Sequence, residues 1–390
     1  MIENKAFCAA PWAEIVMRTT KKINVCCNAS RLDPTNAHIE DTTINDFFNG
    51  PAVASVRTAL KQGQQIPLCN NCYESEARYN NSMRLDMNRK YGFTEKNFQQ
   101  RLEQLERVNF PRHTELHVSN LCNLKCLTCN PTDSSQFLAE ERMLGNTQWN
   151  QDDYTFSDDL IQRLFDEVMH SDTKLVDLRG GETLLVPKVK QYLKDVDVNL
   201  TKNKRLKIQT NGTIFDTVWK DIFLKFESVD VSLSIDAYDQ HNEYIRHPAK
   251  WDRILNTIDI IRTIENTIFS VSCTVSNLNW MVLPTFLDWI IEQNVYCGFS
   301  GVYSPSMFVI QNLPDKFLDR YTAAIEPYIG RLPAEGSNSN LQNIVAGVKQ
   351  NKNFNTALWN SFCKEIAKRD NFRKNSIECL DPELYRTFFL

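Results

Sequence analysis

No stretch of this 390-residue chain approaches the roughly 18 consecutive apolar residues needed to span a bilayer, so no membrane helix is expected. The first residues, MIENKAFCAAPWAEIVMRTTKK, lack the apolar core of a signal peptide. Neither charge is in excess: 44 basic residues stand against 48 acidic ones, a net charge of −4. That removes any global pull toward nucleic acid or an anionic membrane, and no nucleic-acid role is expected. The one short basic run, TKNKRLK at 201–207, reads as a solvated connection. Internal repeats and low-complexity tracts are missing, and neither end reads as a winged helix. What remains is a cytoplasmic globular protein of two or three domains, with 42% hydrophobic residues, enough for a core of ordinary size.

Cysteine, by contrast, is plentiful. In a reducing compartment twelve cysteines argue for metal or redox chemistry rather than disulfides. Eight of the twelve lie at or before position 129, which a scatter of core cysteines would not produce. The densest group is SNLCNLKCLTCN (119–130), with Cys122, Cys126 and Cys129 at intervals of four and three.

Residues 1–110 read as one region: a hairpin in AEIVMRTTKKINVCC turning at Thr20–Lys22, a helix in PAVASVRTALKQG between Pro51 and Gly63, and a second helix capped by Thr94. From 111 to 330 six strand-like segments alternate with helical ones: TELHVSN, KLVDLRGGE, RLKIQTNGT, SVDVSLSID, IFSVSCTVSN and GFSGVYS. In the helical SDDLIQRLFDEVMH, residues Leu160, Ile161, Leu164, Phe165 and Val168 share one face. Six such units imply an α/β fold with a parallel sheet, two units short of a closed (β/α)8 barrel. Residues 331–390 begin with the linker-like RLPAEGSNSN and continue as a helical extension.

The strands alternate where fully buried parallel strands would read as continuous apolar runs. Val229, Val231, Leu233 and Ile235 oppose Asp230, Ser232, Ser234 and Asp236; Leu116 and Val118 oppose Glu115, His117 and Ser119. The apolar side suits covering helices and the polar side an open, polar lumen, hence a binding cavity; the competing reading is an exposed antiparallel sheet.

CNLKCLTC directly follows the first of the six strands, where parallel α/β folds carry their ligands. Three thiolates leave one corner of a [4Fe–4S] cluster without a protein ligand, just as a catalytic zinc keeps one position open; zinc here would need a fourth ligand. The segment resembles the CxxxCxxC signature of the radical S-adenosylmethionine (SAM) superfamily, and further pieces match in order over about residues 114–330. LRGGETLL resembles the family's GGE motif, which implies Glu182, with Gly180 and Gly181, at the methionine ammonium of SAM. TNG resembles the third-strand ending, with Asn211. LSIDAYDQHNEYIR resembles the ribose motif, with Ser234 and Asp236, followed by Arg246 for the SAM carboxylate. TVSNLN places Asn277 near the adenine. Thr183 departs from the proline common after the glutamate. The resemblance implies a partial (β/α)6 TIM barrel holding a [4Fe–4S] cluster on Cys122, Cys126 and Cys129 with SAM at its open iron. Reductive cleavage would then yield a 5′-deoxyadenosyl radical that abstracts hydrogen from a substrate. His117 and Arg179 are the candidates for substrate contact.

Cys8, Cys26, Cys27, Cys69 and Cys72 lie in AFCAAPW, INVCCNAS and PLCNNCYESE. Alone they would suggest zinc. Beside a radical SAM core, the small α+β region 1–110 resembles a twitch/SPASM auxiliary domain, although such domains usually follow the barrel. That implies a second [4Fe–4S] cluster on Cys8, Cys26, Cys69 and Cys72, with Cys27 the competitor to Cys26. Cys273, Cys297, Cys363 and Cys379 have no ligand spacing and read as small buried hydrophobes. The expected activity is that of a radical SAM oxidoreductase or maturase acting on a peptide or protein, with a flavodoxin or ferredoxin as electron donor. The alternatives are a small-molecule radical SAM dehydrogenase and a non-catalytic SAM-binding iron–sulfur scaffold or sensor.

Overall fold

The computed structural model describes residues 4–29, 37–79, 82–146, 148, 154–302 and 304–390. The hairpin is β1 (Glu14–Met17) and β2 (Lys22–Asn24), antiparallel with Met17 opposite Ile23. Its turn closes where the Arg18 N–H donates to the Lys22 carbonyl, with Lys21 in the left-handed region at φ 63°. A short β3 (Ala37–His38) pairs antiparallel with β2. All six later segments are strands: β4 (His113–His117), β5 (Leu175–Arg179), β6 (Arg205–Thr210), β7 (Ser228–Ser234), β8 (Thr267–Val275) and β9 (Cys297–Gly301).

The order is β3-β2-β1-β4-β5-β6-β7-β8-β9, and β1/β4, β4/β5, β5/β6 and β8/β9 are parallel pairs. The two ends of that order, β3 and β9, do not pair, so the α/β sheet is a partial barrel, as the six units implied. The hairpin is a continuation of the same sheet: Glu14 stands opposite His113 and Val16 opposite Glu115. All four residues of β1 are buried, as suits a strand with neighbours on both edges.

Val229, Val231, Leu233 and Ile235 are fully buried, as are Leu206 and Ile208; on the opposite faces Lys207, Gln209 and Asp230 are half-buried, whereas Ser232, Ser234 and Asp236 are buried. Helix Asp158–Met169 starts at the Ser157 cap, whose Oγ accepts the Leu160 N–H, and buries all five residues of its apolar stripe. Helix Pro51–Lys61 buries Val53, Val56 and Leu60.

RLPAEGSNSN is not a linker. Helix Glu335–Gln350 begins inside it, because tertiary bonds satisfy what looks like loop chemistry. The Ser337 Oγ accepts the Cys297 N–H of β9 at 3.0 Å, and Asn338 bonds Gly330, Leu332 and Ala334. A Cβ at Gly336 would lie 3.1 Å from the Tyr296 ring, so small residues are needed there. Helices Thr356–Arg373 and Pro382–Phe388 complete the C-terminal extension.

The chain forms two compact units. One comprises Met1–Leu121, Asn150–Gln209 and Thr217–Val229; the other comprises Cys122–Trp149, Thr210–Asp216 and Asp230–Leu390. Among the described residues no helix is long and apolar enough to cross a membrane.

Candidate active site

In the second unit the cysteine loop carries Cys122 and Cys126 buried and Cys129 half-buried. It has no regular structure, so its backbone groups need partners elsewhere. At and just beyond the end of helix Asp239–Ile245, the Ile245 and His247 carbonyls accept the Leu127 and Lys125 N–H groups at 2.8 and 2.7 Å. At the start of helix Ser135–Met143, the Ser134 Oγ donates to the Leu124 carbonyl at 2.6 Å and the Ser135 Oγ accepts the Cys122 N–H at 3.1 Å. From the end of helix Thr356–Arg373, Arg373 Nη2 donates to the Lys125 carbonyl at 2.7 Å. Asn211 Nδ2 donates to the Asn123 side chain at 2.9 Å, and Asn123 to the Thr213 hydroxyl at 2.9 Å. Asn211 thus props the loop itself.

Arg246 stands beside the thiols. Its Nη1 donates to Asp236 at 2.8 Å, and the other Asp236 oxygen accepts the Thr274 N–H at 2.9 Å. Asp236 therefore orients Arg246. Burial works against the guanidinium charge, but the sulfurs of Cys126 and Cys122 and the Asp236 carboxylate more than restore it. Arg246 Nε is buried without a hydrogen-bond partner, and so is Asn277 Oδ1, although Asn277 Nδ2 reaches the Met307 carbonyl at 2.9 Å. Each orphaned atom costs about 1–3 kcal/mol unless a ligand satisfies it. Burial pushes the Cys126 and Cys129 thiols up. Ser234 is buried on β7. Three thiols, an oriented guanidinium with an unsatisfied Nε and an unsatisfied amide oxygen fit a metal cluster with a polar ligand beside it.

In the first unit the GGE turn follows β5. Gly180 has φ +123°, and a Cβ there would lie 2.6 Å from the Ser119 carbonyl; at Gly181 one would lie 2.4 Å from the Leu121 carbonyl. The glycines thus let the turn press on residues 119–121, to which Gly181 and Glu182 donate N–H bonds of 2.9 and 2.7 Å. Glu182 is fully buried and accepts the Leu184 N–H at 3.2 Å.

The polar faces of β1, β4 and β5 form an ion network. His117 Nε2 lies 2.7 Å from Glu115; Arg179 forks onto Asp177 with two bonds of 3.0 Å. His113 bridges Glu14 at 3.0 Å and Asp177 at 3.4 Å, and Lys90 reaches Glu14 at 2.5 Å. Burial would raise the Glu14 carboxyl, but His113 and Lys90 outweigh it and hold it at about 2. Burial would lower His113, but Asp177 and Glu14 raise it above its ordinary value. Donor atoms of His113, Glu115 and Asp177 lie within 4.8 Å of one another, already bonded within this network. His117 and Arg179, the sequence candidates, are members of it; Glu14, Lys90, His113 and Asp177 were missed. Only the register of β1 against β4 brings Glu14 to His113.

The N-terminal cysteines also lie in the first unit. Burial pushes the Cys8 thiol up, and the Cys69 and Cys72 sulfurs add to it. Burial likewise raises Cys26, with Cys27, Cys8 and Cys69 as neighbours. Cys27 is raised to about 11 by burial and then by Glu115, while Arg18 opposes; its surroundings are the ion network. Asn28 Nδ2 donates to the Cys72 sulfur at 3.3 Å. Among the described residues no three thiols lie within 4.8 Å of one another. A tetrahedral zinc at 2.3 Å would draw sulfurs to about 3.8 Å.

Residues 116–289 match the family model of the Radical SAM superfamily. That segment, 174 of the 390 residues, is what the chain shares with this superfamily. Among solved structures, the chain is similar to native anSMEcpe with bound AdoMet, at 15% identity over 56% of this chain and 60% of that one, TM-score 0.39. It is also similar to Streptococcus suis SuiB bound to S-adenosylmethionine, at 13% identity over 71% of this chain and 64% of that one, TM-score 0.41. SuiB bound to the precursor peptide SuiA gives 15% identity over 70% and 62%, TM-score 0.41. The chain thus covers less than two thirds of the length of each. No curated protein matches it.

Proposed function

We propose that this protein is a radical SAM enzyme that uses Cys122, Cys126 and Cys129 to hold a [4Fe–4S] cluster and abstracts a hydrogen atom from a substrate. The observation that carries the reading is Arg246: a buried cation beside the cysteine sulfurs, with its Nε unsatisfied. When bound, the reduced cluster supplies the electron that splits SAM into methionine and a 5′-deoxyadenosyl radical. Arg246 receives the SAM carboxylate by charge-assisted hydrogen bonds, with Asp236 fixing the guanidinium. Glu182, at the glycine-built turn with Gly180 and Gly181, receives the ammonium; Ser234 serves the ribose and Asn277 the adenine. Asn211 positions the loop through Asn123. His117 and Arg179 offer the substrate polar contacts from the ion network.

A second cluster on Cys8, Cys26, Cys69 and Cys72 fits the shared neighbourhood of these thiols, and Cys27 belongs with the ion network instead. The proposed substrate is a peptide or protein, which the pairing of a radical SAM domain with a second cluster suggests, and the electron donor a flavodoxin or ferredoxin.

The test is anaerobic reconstitution, reduction and measurement of 5′-deoxyadenosine formed from SAM, with the Cys122→Ala/Cys126→Ala/Cys129→Ala protein alongside. Product from the wild type alone supports the reading. A loaded wild type that binds SAM and never cleaves it, with any substrate offered, would turn the assignment to a SAM-binding scaffold.

A further inference from the structure

The C-terminal extension reaches the cysteine loop at Lys125, whose Nζ lies over the Phe372 ring at 5.3 Å and whose carbonyl is held by Arg373. Arg373, in the last turn of helix Thr356–Arg373, has a side chain only 1% exposed. Its Nη2 donates to the Lys125 carbonyl at 2.7 Å, on the residue preceding Cys126. The same guanidinium bonds Glu140 through Nε and Nη2 at 3.0 and 2.6 Å. Glu140 in turn receives Lys125 Nζ at 2.8 Å and Arg369 Nη1 at 2.6 Å, while Arg369 also pairs with Glu141. Arg373 Nη1 is buried with no partner. Beyond the helix, Asn375 Nδ2 lies 3.2 Å from His247 Nδ1, and the His247 carbonyl holds the Lys125 N–H. Arg373 therefore holds the Lys125 carbonyl directly, and Asn375 contacts the side chain of His247, whose carbonyl holds the Lys125 N–H.

Ties to this loop also come from Ser134 and Ser135, from the Ile245 and His247 carbonyls and from Asn211, none of them charged. Arg373 is different. It brings a buried guanidinium, paired with the Glu140 carboxylate and little screened by solvent. Its bond to the Lys125 carbonyl, one residue before Cys126, puts that charge on the backbone of the cysteine loop. A buried cation near an iron–sulfur cluster favours the reduced, more negative form, because cluster potentials follow local charge and hydrogen bonding.

We propose that Arg373 is a positioning residue of the radical SAM site: it fixes the Lys125 peptide of the cysteine loop and, by its charge, makes the cluster easier to reduce. The proposal rests on the reading that Cys122, Cys126 and Cys129 hold that cluster. The experiment compares wild type with Arg373→Gln, Arg373→Lys and Arg369→Gln. Each carries Cys8→Ala and Cys69→Ala so that only the loop can be loaded, and each is reconstituted with iron and sulfide. Iron content, the midpoint potential followed by the EPR signal of the reduced cluster, and the melting temperature are read. Arg373→Gln is expected to load fully and to need a more negative potential, an about tenfold fall in the reduced-to-oxidised ratio at fixed potential, or 59 mV for one electron. Arg373→Lys keeps the charge and is expected to stay within about threefold of wild type. Arg369→Gln shares Glu140 but has no bond to the loop; it is expected to lower the melting temperature and leave the potential alone.

An unchanged potential in loaded Arg373→Gln overturns the proposal, and so does an equal shift in Arg369→Gln. Should Arg373→Gln fail to take up iron, the lysine variant decides: full loading at the wild-type potential supports the proposal, and failure overturns it. A wild-type loop that takes up no cluster would instead sink the parent reading.

Discussion

Arg246 keeps a buried nitrogen unpaired while its other end is pinned to Asp236, an arrangement that costs stability unless something else binds. Arg246→Gln should therefore weaken SAM binding at least tenfold, about 1.4 kcal/mol, without changing iron content, as measured by equilibrium dialysis of the reconstituted protein. The two adjacent N-terminal cysteines should behave differently. Cys26→Ala is expected to lose about one cluster, roughly four irons per chain, and Cys27→Ala none; iron and sulfide analysis reads this directly. Equal losses would remove the distinction drawn from their neighbours. The His113 network should also be visible in a pH profile. His113 is raised above 6.5, so its contribution is complete below that value and disappears as pH climbs through the raised one. Glu14 is lowered from 4.5 to about 2, so its contribution is present above 4.5 and lost as pH falls toward 2. The melting-temperature gap between wild type and His113→Asn should therefore be widest between about pH 4.5 and 6.5 and narrow on either side. A gap that is flat with pH would mean that His113 contributes by packing alone.

Elements were legible where local chemistry and burial agree. Alternation located six strands, and the Ser157 cap with its apolar stripe located a helix, because each pattern is the direct imprint of one buried face. The cysteine spacing and the GGE turn were likewise visible, since their chemistry is carried by neighbours in sequence. Three things were not. The parallel seating of β1 on β4 depends on a register between distant segments, so Glu14 gave no sign that it would meet His113. Helix Glu335–Gln350 opens with residues that locally favour loops, and bonds to β9 override them. Arg373 and Glu140 are ordinary helix-surface residues in sequence and become partners only by tertiary packing. The reason for the paired glycines also changed at this scale, from room for a ligand to room for the carbonyls of Ser119 and Leu121. Gly181→Ala, with its Cβ 2.4 Å from the Leu121 oxygen, should then destabilise by about 1–3 kcal/mol in urea unfolding even without SAM. A wild-type unfolding curve would return that glycine to a purely ligand-facing role.

At the scale of the molecule, the C-terminal extension is bound into the second unit by buried charges. Glu140, 1% exposed, is shared by Arg369, Arg373 and Lys125. A chain truncated after position 330 would keep Glu140 and Glu141 but lose both arginines, leaving buried carboxylates short of partners. Breaking a buried pair in this way costs about 3–5 kcal/mol. The truncated protein should unfold at distinctly lower urea than the full chain, and Glu140→Gln/Glu141→Gln should restore part of the loss. No restoration would assign the extension's contribution to its apolar contacts.

The pairing of β1 with β4 also governs how the protein can be made. Glu14 leaves the ribosome roughly a hundred residues before its partner His113, and contacts this distant in sequence form late. Cys8, Cys26, Cys69 and Cys72 are all translated before β4 exists. During that interval the nascent chain presents its thiols and an unfinished sheet edge, open to stray metals, oxidants and other chains. If the proposed second cluster forms, its iron should therefore be delivered after synthesis has passed β4, and an arrest before that point should leave a chain that aggregates.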